Sequence, residues 1–105
     1  MEFITHNEKD IDVNGTHFQG YIDITYDKLV KIFGEPTSGD EYKVDAEWLI
    51  EFKNGIVATI YNYKDGKNYN GNSGLEKEDI TNWHIGGYDQ KAVDLVYEIC
   101  KVKKD

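Results

Sequence analysis

The sequence contains no arginine and only one cysteine in 105 residues, and each shortage excludes a class of site. Without arginine, the chain lacks the bidentate fork that usually binds the phosphates of nucleic acids. The single Cys100 excludes an internal disulfide and a cysteine-rich zinc site. No apolar run approaches the roughly 18 residues of a membrane-spanning helix, and the first six residues lack the pattern of a signal peptide. We therefore expect a soluble, cytoplasmic protein without a membrane partner.

The charge of the chain is strongly negative. It has 20 acidic and 12 basic residues, the latter all lysine, for a net charge of -8. This balance argues against direct binding to a nucleic-acid backbone. The same charge suits either solubility or contact with a basic surface of another macromolecule, and composition does not decide between the two.

Aromatic residues are plentiful. Eight tyrosines, four phenylalanines and two tryptophans supply a large contact area from a chain that is only 39% hydrophobic. The length suits one globular domain that spans residues 1–105 and needs no disulfide or metal for its stability.

The chain is organised around residues 44–64, which predict a β-hairpin. Two β-rich runs flank Asn54 and Gly55, and Asn-Gly in this position favours a two-residue type I′ turn. Such a turn pairs Phe52 with Val57, Ile50 with Thr59 and Trp48 with Tyr61. This register places Trp48, Tyr61 and Tyr63 on one face of the hairpin.

The first half of the chain predicts a strand followed by a helix. Asn14 and Gly15 indicate either a first hairpin or a turn that leads into a strand over residues 16–24. Thr25 can cap a helix whose apolar positions recur at helical spacing, and Gly34 with Pro36 ends it.

The second half predicts a strand over residues 82–85 that ends at Gly86 and Gly87, and a final helix capped by Asp89 with lysines up to Lys104 near its end. The predicted order is β(β)-α-β-β-β-α. We expect an α+β fold of two layers, an antiparallel sheet of four to five strands with two helices.

Several kinds of site are absent from the sequence. The polar, glycine-rich residues 65–79 predict a mobile, turn-rich loop, and no frame of them fits a calcium-binding loop. His6, His17 and His84 lack the spacing of a helical metal site. No nucleophile, phosphate-binding or dinucleotide motif occurs, so we expect neither an enzyme nor a cofactor.

One group of residues combines rings, ammonium groups and glycine amides, which suit a planar, anionic ligand such as a nucleotide. If the strand over residues 82–85 pairs with the second hairpin strand, the group converges at one end of the sheet. The free amides at Gly86 and Gly87, near the positive end of the last helix, predict an anion site within reach of His84. The alternative is that Trp48 and Tyr61 are core residues beneath the first helix. The candidate ligand site consists of Trp48, Tyr61, Tyr63, Lys64, Lys67, Tyr69, Asn70, Trp83, His84, Gly86 and Gly87.

A second hypothesis is an acidic surface that contacts a basic protein and imitates the charge of a nucleic acid. It requires the acids to form one continuous band. A homo-oligomer would allow a pocket between subunits, and the sequence leaves that alternative open. The candidate protein-contact residues are Asp40, Glu41, Asp45, Glu47, Glu51, Glu76, Glu78 and Asp79.

The strings VDAEW, ATIYNYKDGKNY and TNWHIGG resemble small uncharacterised proteins encoded in tailed-bacteriophage genomes, over residues 20–96. The string LVKIFGEP before a tryptophan-bearing hairpin resembles the repeat unit of β-lactamase-inhibitor-like domains, which implies a helix packed on a meander. The phage resemblance implies a non-enzymatic accessory protein in the host cytoplasm that counters bacterial defence. It implies one of two modes: the protein sequesters a nucleotide immune signal, or it occludes a host defence nuclease or effector.

Overall fold

The computed structural model describes residues 2–5, 11–38 and 43–103, which form an open antiparallel sheet with helices. The predicted α+β class is confirmed. The short strand β1 and the four-residue helix α2 were not predicted. The strands are β1 Phe3–Thr5, β2 His17–Asp23, β3 Glu47–Phe52, β4 Val57–Tyr61 and β5 Asn82–Gly87, and the helices are α1 Tyr26–Phe33, α2 Lys67–Asn70 and α3 Lys91–Cys100.

The five strands lie in the order β1-β3-β4-β5-β2. The centre of the sheet is therefore a meander of three consecutive strands, β3, β4 and β5. The two N-terminal strands lie at opposite edges, where β1 pairs with β3 and β2 pairs with β5. Within the described ranges, no helix is long and apolar enough to cross a membrane.

The helix ends follow the sequence signals. Thr25 Oγ1 accepts a hydrogen bond from the Lys28 N–H at 3.2 Å, and α1 ends at Gly34, whose φ is 90°. Before α3, the Asp89 carboxylate accepts from the Lys91 N–H at 2.9 Å. The turn at residues 14 and 15 leads into β2, as one of the two alternatives predicted. Lys104 lies outside the described residues.

The central turn has three residues instead of two. The Gly55 N–H donates to the Phe52 carbonyl at 2.8 Å, and the Phe52 N–H donates to the Ile56 carbonyl at 2.8 Å. In this turn only Gly55 has a left-handed backbone, with φ of 87°. The loop is thus a type I turn followed by a left-handed glycine, a common form of three-residue hairpin.

The extra turn residue shifts the predicted register by one position. Trp48 pairs with Ile60 instead of Tyr61, and Tyr61 pairs with Glu47. Because side chains alternate along a strand, this shift turns every β4 side chain to the opposite face. The prediction that Trp48, Tyr61 and Tyr63 share a face is therefore wrong. The observed register places Ala58 and Ile60 against the core in place of a threonine and a tyrosine, which favours it because both are apolar and fully buried.

The core lies between the sheet and the helices α1 and α3, and two tryptophans occupy its centre. Trp48 and Trp83 are both 0% exposed, with ring centroids 5.3 Å apart. The Trp48 indole N–H donates to the Gly34 carbonyl at 2.8 Å, and the Trp83 indole N–H donates to the Ile24 carbonyl at 3.1 Å. Each ring therefore ties the sheet to the backbone at one end of α1.

The loop over residues 65–79 is anchored to the sheet through the fully buried Asn62. Asn62 Oδ1 accepts from the N–H groups of Asp45 and Ala46 at 2.7 and 3.1 Å. Its Nδ2 donates to the carboxylates of Asp45 and Asp65 at 3.0 and 2.9 Å. The other Asp45 oxygen accepts from the Asn68 N–H at 3.1 Å. One amide side chain therefore connects the start of β3 to the start of the loop.

Candidate functional site

The face of the sheet opposite α1 and α3 carries a group of aromatic side chains. His84 on β5 pairs with Tyr61 on β4 and with Tyr21 on β2, so these three residues lie side by side across neighbouring strands. Phe18, earlier on β2, and Tyr63, just after β4, complete the group. We call these five residues the aromatic cluster.

His84 lies at the centre of the aromatic cluster. Its ring centroid is 4.8 Å from that of Tyr21, 5.3 Å from Tyr61, 5.4 Å from Phe18 and 5.8 Å from Tyr63. The Tyr61 ring is stacked on it, whereas those of Tyr21 and Phe18 meet it edge to face. These are the favourable geometries of aromatic pairs.

The imidazole of His84 has an unused polar atom. Its Nδ1 is buried and has no hydrogen-bond partner among the described residues. Burial lowers the pKa of His84, and the nearby Asp65 carboxylate partly opposes this change. The ring is therefore neutral at pH 7, since the ordinary pKa of histidine is already about 6.5.

A hollow of about 420 Å³, here called the sheet hollow, adjoins the aromatic cluster on the same face. Thr59, Tyr61 and Gly86 contribute its floor from β4 and β5. A Cβ atom at Gly86 would collide with Thr59 Oγ1, so this strand position requires glycine. The sides of the hollow are formed by Val13, Thr16 and His17 and by Val44, Glu47 and Tyr63.

Two lysines lie beside Tyr63, which lines the sheet hollow, and we call the edge at Tyr63 the rim. Lys64 Nζ lies 5.3 Å from the centroid of the Tyr63 ring, and Lys43 Nζ lies 5.9 Å from it. Both distances are within the range of cation–π contact. Lys64 also has a left-handed backbone, with φ of 64°. The Asn70 side chain donates to the Lys64 carbonyl at 2.8 Å and so supports this conformation. The rim therefore carries two ammonium groups, although the whole chain is negative and Glu47 lines the hollow.

The structure brings together part of the predicted ligand site. Tyr61, Tyr63, His84 and Gly86 meet on the open face, and Lys64 lies at its rim with the Tyr69 ring 5.8 Å from its Nζ. Trp48 and Trp83 lie in the core and expose no surface to a ligand. The core alternative is therefore correct for Trp48 and not for Tyr61. Lys67 instead forms an ion pair with Glu76 at 3.4 Å, and Asn70 acts on the Lys64 backbone.

The anion site expected at Gly86 and Gly87 is not formed. Gly87 lies on the core face, where a Cβ atom would collide with the Cβ of Ala92, while His84 lies on the opposite face. The first amides of α3 are also occupied, because the Asp89 carboxylate accepts from Lys91 and its carbonyl accepts from Ala92. A phosphate at this helix end would meet a carboxylate.

Phe18, Tyr21, Thr59 and the segment containing Val13 and Thr16 were not predicted as site residues. Thr59 lies on the open face because of the shifted register of β4, and the others reach the site because β2 pairs with β5, about 60 to 70 residues later in the chain. No local pattern reports a pairing over such a distance. The available signal was the pair of aromatic residues on β2, Phe18 and Tyr21, because each must lie on one face of the sheet or the other.

The acidic residues that were predicted to form a protein-contact surface do not share one side of the molecule, as far as the structure describes them. Both oxygens of Asp45 accept hydrogen bonds from the Asn62 network, while Glu47 and Glu51 lie on the open face. Glu78 lies beside α1, where it contributes with burial to the raised pKa of Tyr26. Asp40 and Glu41 lie outside the described residues. The remaining members are Glu76, which is paired with Lys67, and Asp79, in the same 3-10 turn as Glu78.

Among the residues that the structure describes, no group of histidine, cysteine and carboxylate side chains could hold a metal ion. A scan against protein-family models and a search of the curated proteins both find no match to this chain. The geometry of the sheet hollow and its rim therefore carries the functional conclusion.

Proposed function

We propose that this protein is a binding module that holds a small, planar, anionic ligand of nucleotide type in the sheet hollow, and that it is not an enzyme. The observation that carries the proposal is the position of Tyr63, whose ring has two lysine ammonium groups near it at the edge of a hollow floored by Tyr61. Rings for stacking and cations for a phosphate are thus adjacent.

The size and composition of the sheet hollow support this class of ligand. Its volume of about 420 Å³ lies within the range of roughly 300–1,000 Å³ that is usual for small-molecule sites. The Tyr61 ring has one face stacked on His84 and lines the hollow, so a base could stack on its other face, and such stacking contributes about 1–3 kcal/mol per base.

The charges around the hollow suggest the orientation of the ligand. The ammonium groups of Lys43 and Lys64 attract the phosphate toward the rim. The Glu47 side chain lines the hollow and can accept a hydrogen bond from an exocyclic amino group. The combination favours an amino-bearing base, such as adenine, over a base without an amino group.

The resemblance to phage proteins supports a biological setting for this activity. In a host cytoplasm, a binding module of this kind would sequester a nucleotide immune signal and so antagonise bacterial defence. The alternative, an acidic inhibitor of a basic host protein, has less support because the described carboxylates are divided between opposite sides of the molecule.

Isothermal titration calorimetry against mononucleotides, cyclic nucleotides and ADP-ribose-type ligands tests the proposal. We expect at least one of them to bind with a Kd well below about 1 mM, which corresponds to roughly -4 kcal/mol. The Lys64→Gly variant should weaken that binding about tenfold and leave the fold intact, because glycine accepts the left-handed backbone at this position.

The matched control is Lys67→Gln, which removes a nearby ammonium that is already paired with Glu76, whereas the ammonium of Lys64 lies beside the Tyr63 ring. This variant should bind as the native protein does. If no ligand of the panel binds below about 1 mM, or if both variants lose affinity equally, the sheet hollow is not a nucleotide site.

A further inference from the structure

A second hollow lies on the other side of the molecule, between α1 and α3, and has a volume of about 550 Å³. We call it the helix groove. Ile32 on α1 and Ile99 on α3 are half-buried there, and Cys100 lies beneath them with 1% of its surface exposed. The floor of the groove is therefore apolar.

The thiol of Cys100 belongs to this floor and is not a reactive group. Burial raises the pKa of Cys100 to about 11, and the charge of the nearby Lys28 opposes only part of that rise. A thiol with such a pKa carries almost no thiolate at neutral pH. Its contribution to the groove is that of a small hydrophobic side chain.

The rim of the helix groove is cationic. Lys28 and Lys31 lie one turn apart on α1, and Lys101 follows α3, against the single carboxylate of Asp27. None of these three lysines forms an ion pair with another described residue. Three cations around one groove contrast with the net charge of -8 of the chain.

Lys101 has a backbone conformation that is unfavourable for a residue other than glycine. Lys101 ends α3 with a left-handed φ of 57°, a position that glycine usually occupies. A non-glycine residue in this conformation is strained by its Cβ atom. The other described non-glycine residue with positive φ is Lys64, at the rim of the sheet hollow. Each hollow thus has one lysine where glycine would relieve strain.

We propose that the helix groove is a second binding site, for a small anionic amphiphile that has an apolar chain and a carboxylate head. The chain would lie on Ile32, Ile99 and Cys100, and the head would meet the ammonium groups of Lys28, Lys31 and Lys101. The three ammonium groups favour a ligand with a negatively charged head group, and the apolar floor favours one with a hydrocarbon chain over a free anion.

The protein contains its own control for this proposal, a hollow at the edge of the sheet. It has a similar volume of about 610 Å³ and apolar sides formed by Phe3, Ile4 and Phe52. Its charged groups are Glu2, Glu51 and Lys53, and Lys53 is already paired with Glu2 at 3.2 Å. An amphiphile bound only through its chain would occupy both hollows, whereas an anionic head favours the helix groove.

Decanoate is the probe, and the methyl NMR signals of Ile32, Ile99 and Ile4 report on the two hollows. We expect saturable shifts at Ile32 and Ile99 with a Kd below about 1 mM, and binding at Ile4 at least about tenfold weaker. Decyltrimethylammonium, which has the same chain and the opposite charge, should lose the shifts at Ile32 and Ile99.

The Lys101→Gly variant should bind decanoate about tenfold more weakly, because it removes one of the three ammonium groups. Its melting temperature should stay within a few degrees of the native value, because glycine adopts the left-handed backbone without strain. Lys91→Gln, at the exposed start of α3, is the matched control and should bind normally. Equal shifts at Ile4, full affinity in Lys101→Gly, or no saturable binding would overturn the proposal. None of these results depends on whether the sheet hollow binds nucleotides.

Discussion

The rings of Tyr61 and His84 stack with their centroids 5.3 Å apart and their planes inclined by 30°. This contact joins β4 to β5 on the open face, and Tyr21 meets the imidazole from β2. The imidazole packs against these rings, and its buried Nδ1 has no hydrogen-bond partner in the part of the chain that the structure describes. The cluster beside the proposed ligand site therefore contains a polar atom that weakens the fold.

Replacement of His84 by phenylalanine should stabilise the protein. The His84→Phe variant keeps an aromatic ring between Tyr21 and Tyr61 and removes the buried nitrogen, so the free energy of unfolding should rise by about 1 kcal/mol. Urea denaturation followed by circular dichroism measures the change. His17→Gln, at an exposed position, is the control and should change stability by less than about 0.5 kcal/mol. A less stable His84→Phe variant would contradict the prediction.

The lowered pKa of His84 predicts a loss of stability in mild acid. The unfolded chain takes up a proton near the ordinary pKa of about 6.5, whereas the folded His84 stays neutral to a lower pH. The free energy of unfolding should therefore fall as the pH decreases through 6.5 toward the folded pKa. Urea midpoints between about pH 7.5 and 5.5 should fall more steeply for the native protein than for His84→Phe. Parallel profiles would show that His84 does not cause the loss.

Asn62 should tolerate no change of its amide group. In the Asn62→Asp variant, a carboxylate would replace the Nδ2 donor and face the carboxylates of Asp45 and Asp65. We expect a loss of about 2–4 kcal/mol in the free energy of unfolding, since the site is fully buried. Asn72→Asp makes the same chemical change at an exposed loop position and should leave the urea midpoint almost unchanged. Equal effects of the two substitutions would exclude the network as the anchor of the loop.

The contact between Gly87 and Ala92 should make these two positions interdependent. In Gly87→Ala, the added methyl group would collide with the Ala92 Cβ, and we expect a destabilisation of about 1–3 kcal/mol. Ala92→Gly should recover part of this loss in the double variant, although glycine itself costs about 1 kcal/mol in a helix. A double-mutant cycle from urea denaturation measures the coupling. Strictly additive effects would show that α3 shifts away from β5 and that the two side chains do not collide.

Signals within a few residues of each other predicted most elements of the fold correctly. The Thr25 cap, the Gly34 stop and the turn at Asn54 and Gly55 lie where the sequence indicated. The form of that turn was not predictable from the dipeptide, because Asn-Gly suits both a two-residue and a three-residue loop. The apolar residues Ala58 and Ile60 distinguish the two loops, because only the three-residue loop turns both side chains toward the core.

The candidate site was predicted less completely than the fold because it depends on contacts between distant segments. Tyr61 and His84 lie on neighbouring strands of the meander and Tyr63 just after β4, and the sequence predicted that they converge if those strands pair. Phe18 and Tyr21 join them only through the pairing of β2 with β5. β1 has three residues, too few to show an alternating pattern.

The strand order also has a consequence for the route by which the chain folds. The longest connection within the meander spans residues 62–81, whereas the contact of Ile22 with Trp83 closes a loop of 60 intervening residues, which is slower to form. Stopped-flow chevrons should therefore show that Ile60→Val slows refolding and that Ile22→Val mainly speeds unfolding. β2 would then dock after the transition state. Because Phe18 and Tyr21 are on β2, this late step would complete the aromatic cluster. A ligand of the sheet hollow would then bind only to chains that have finished folding.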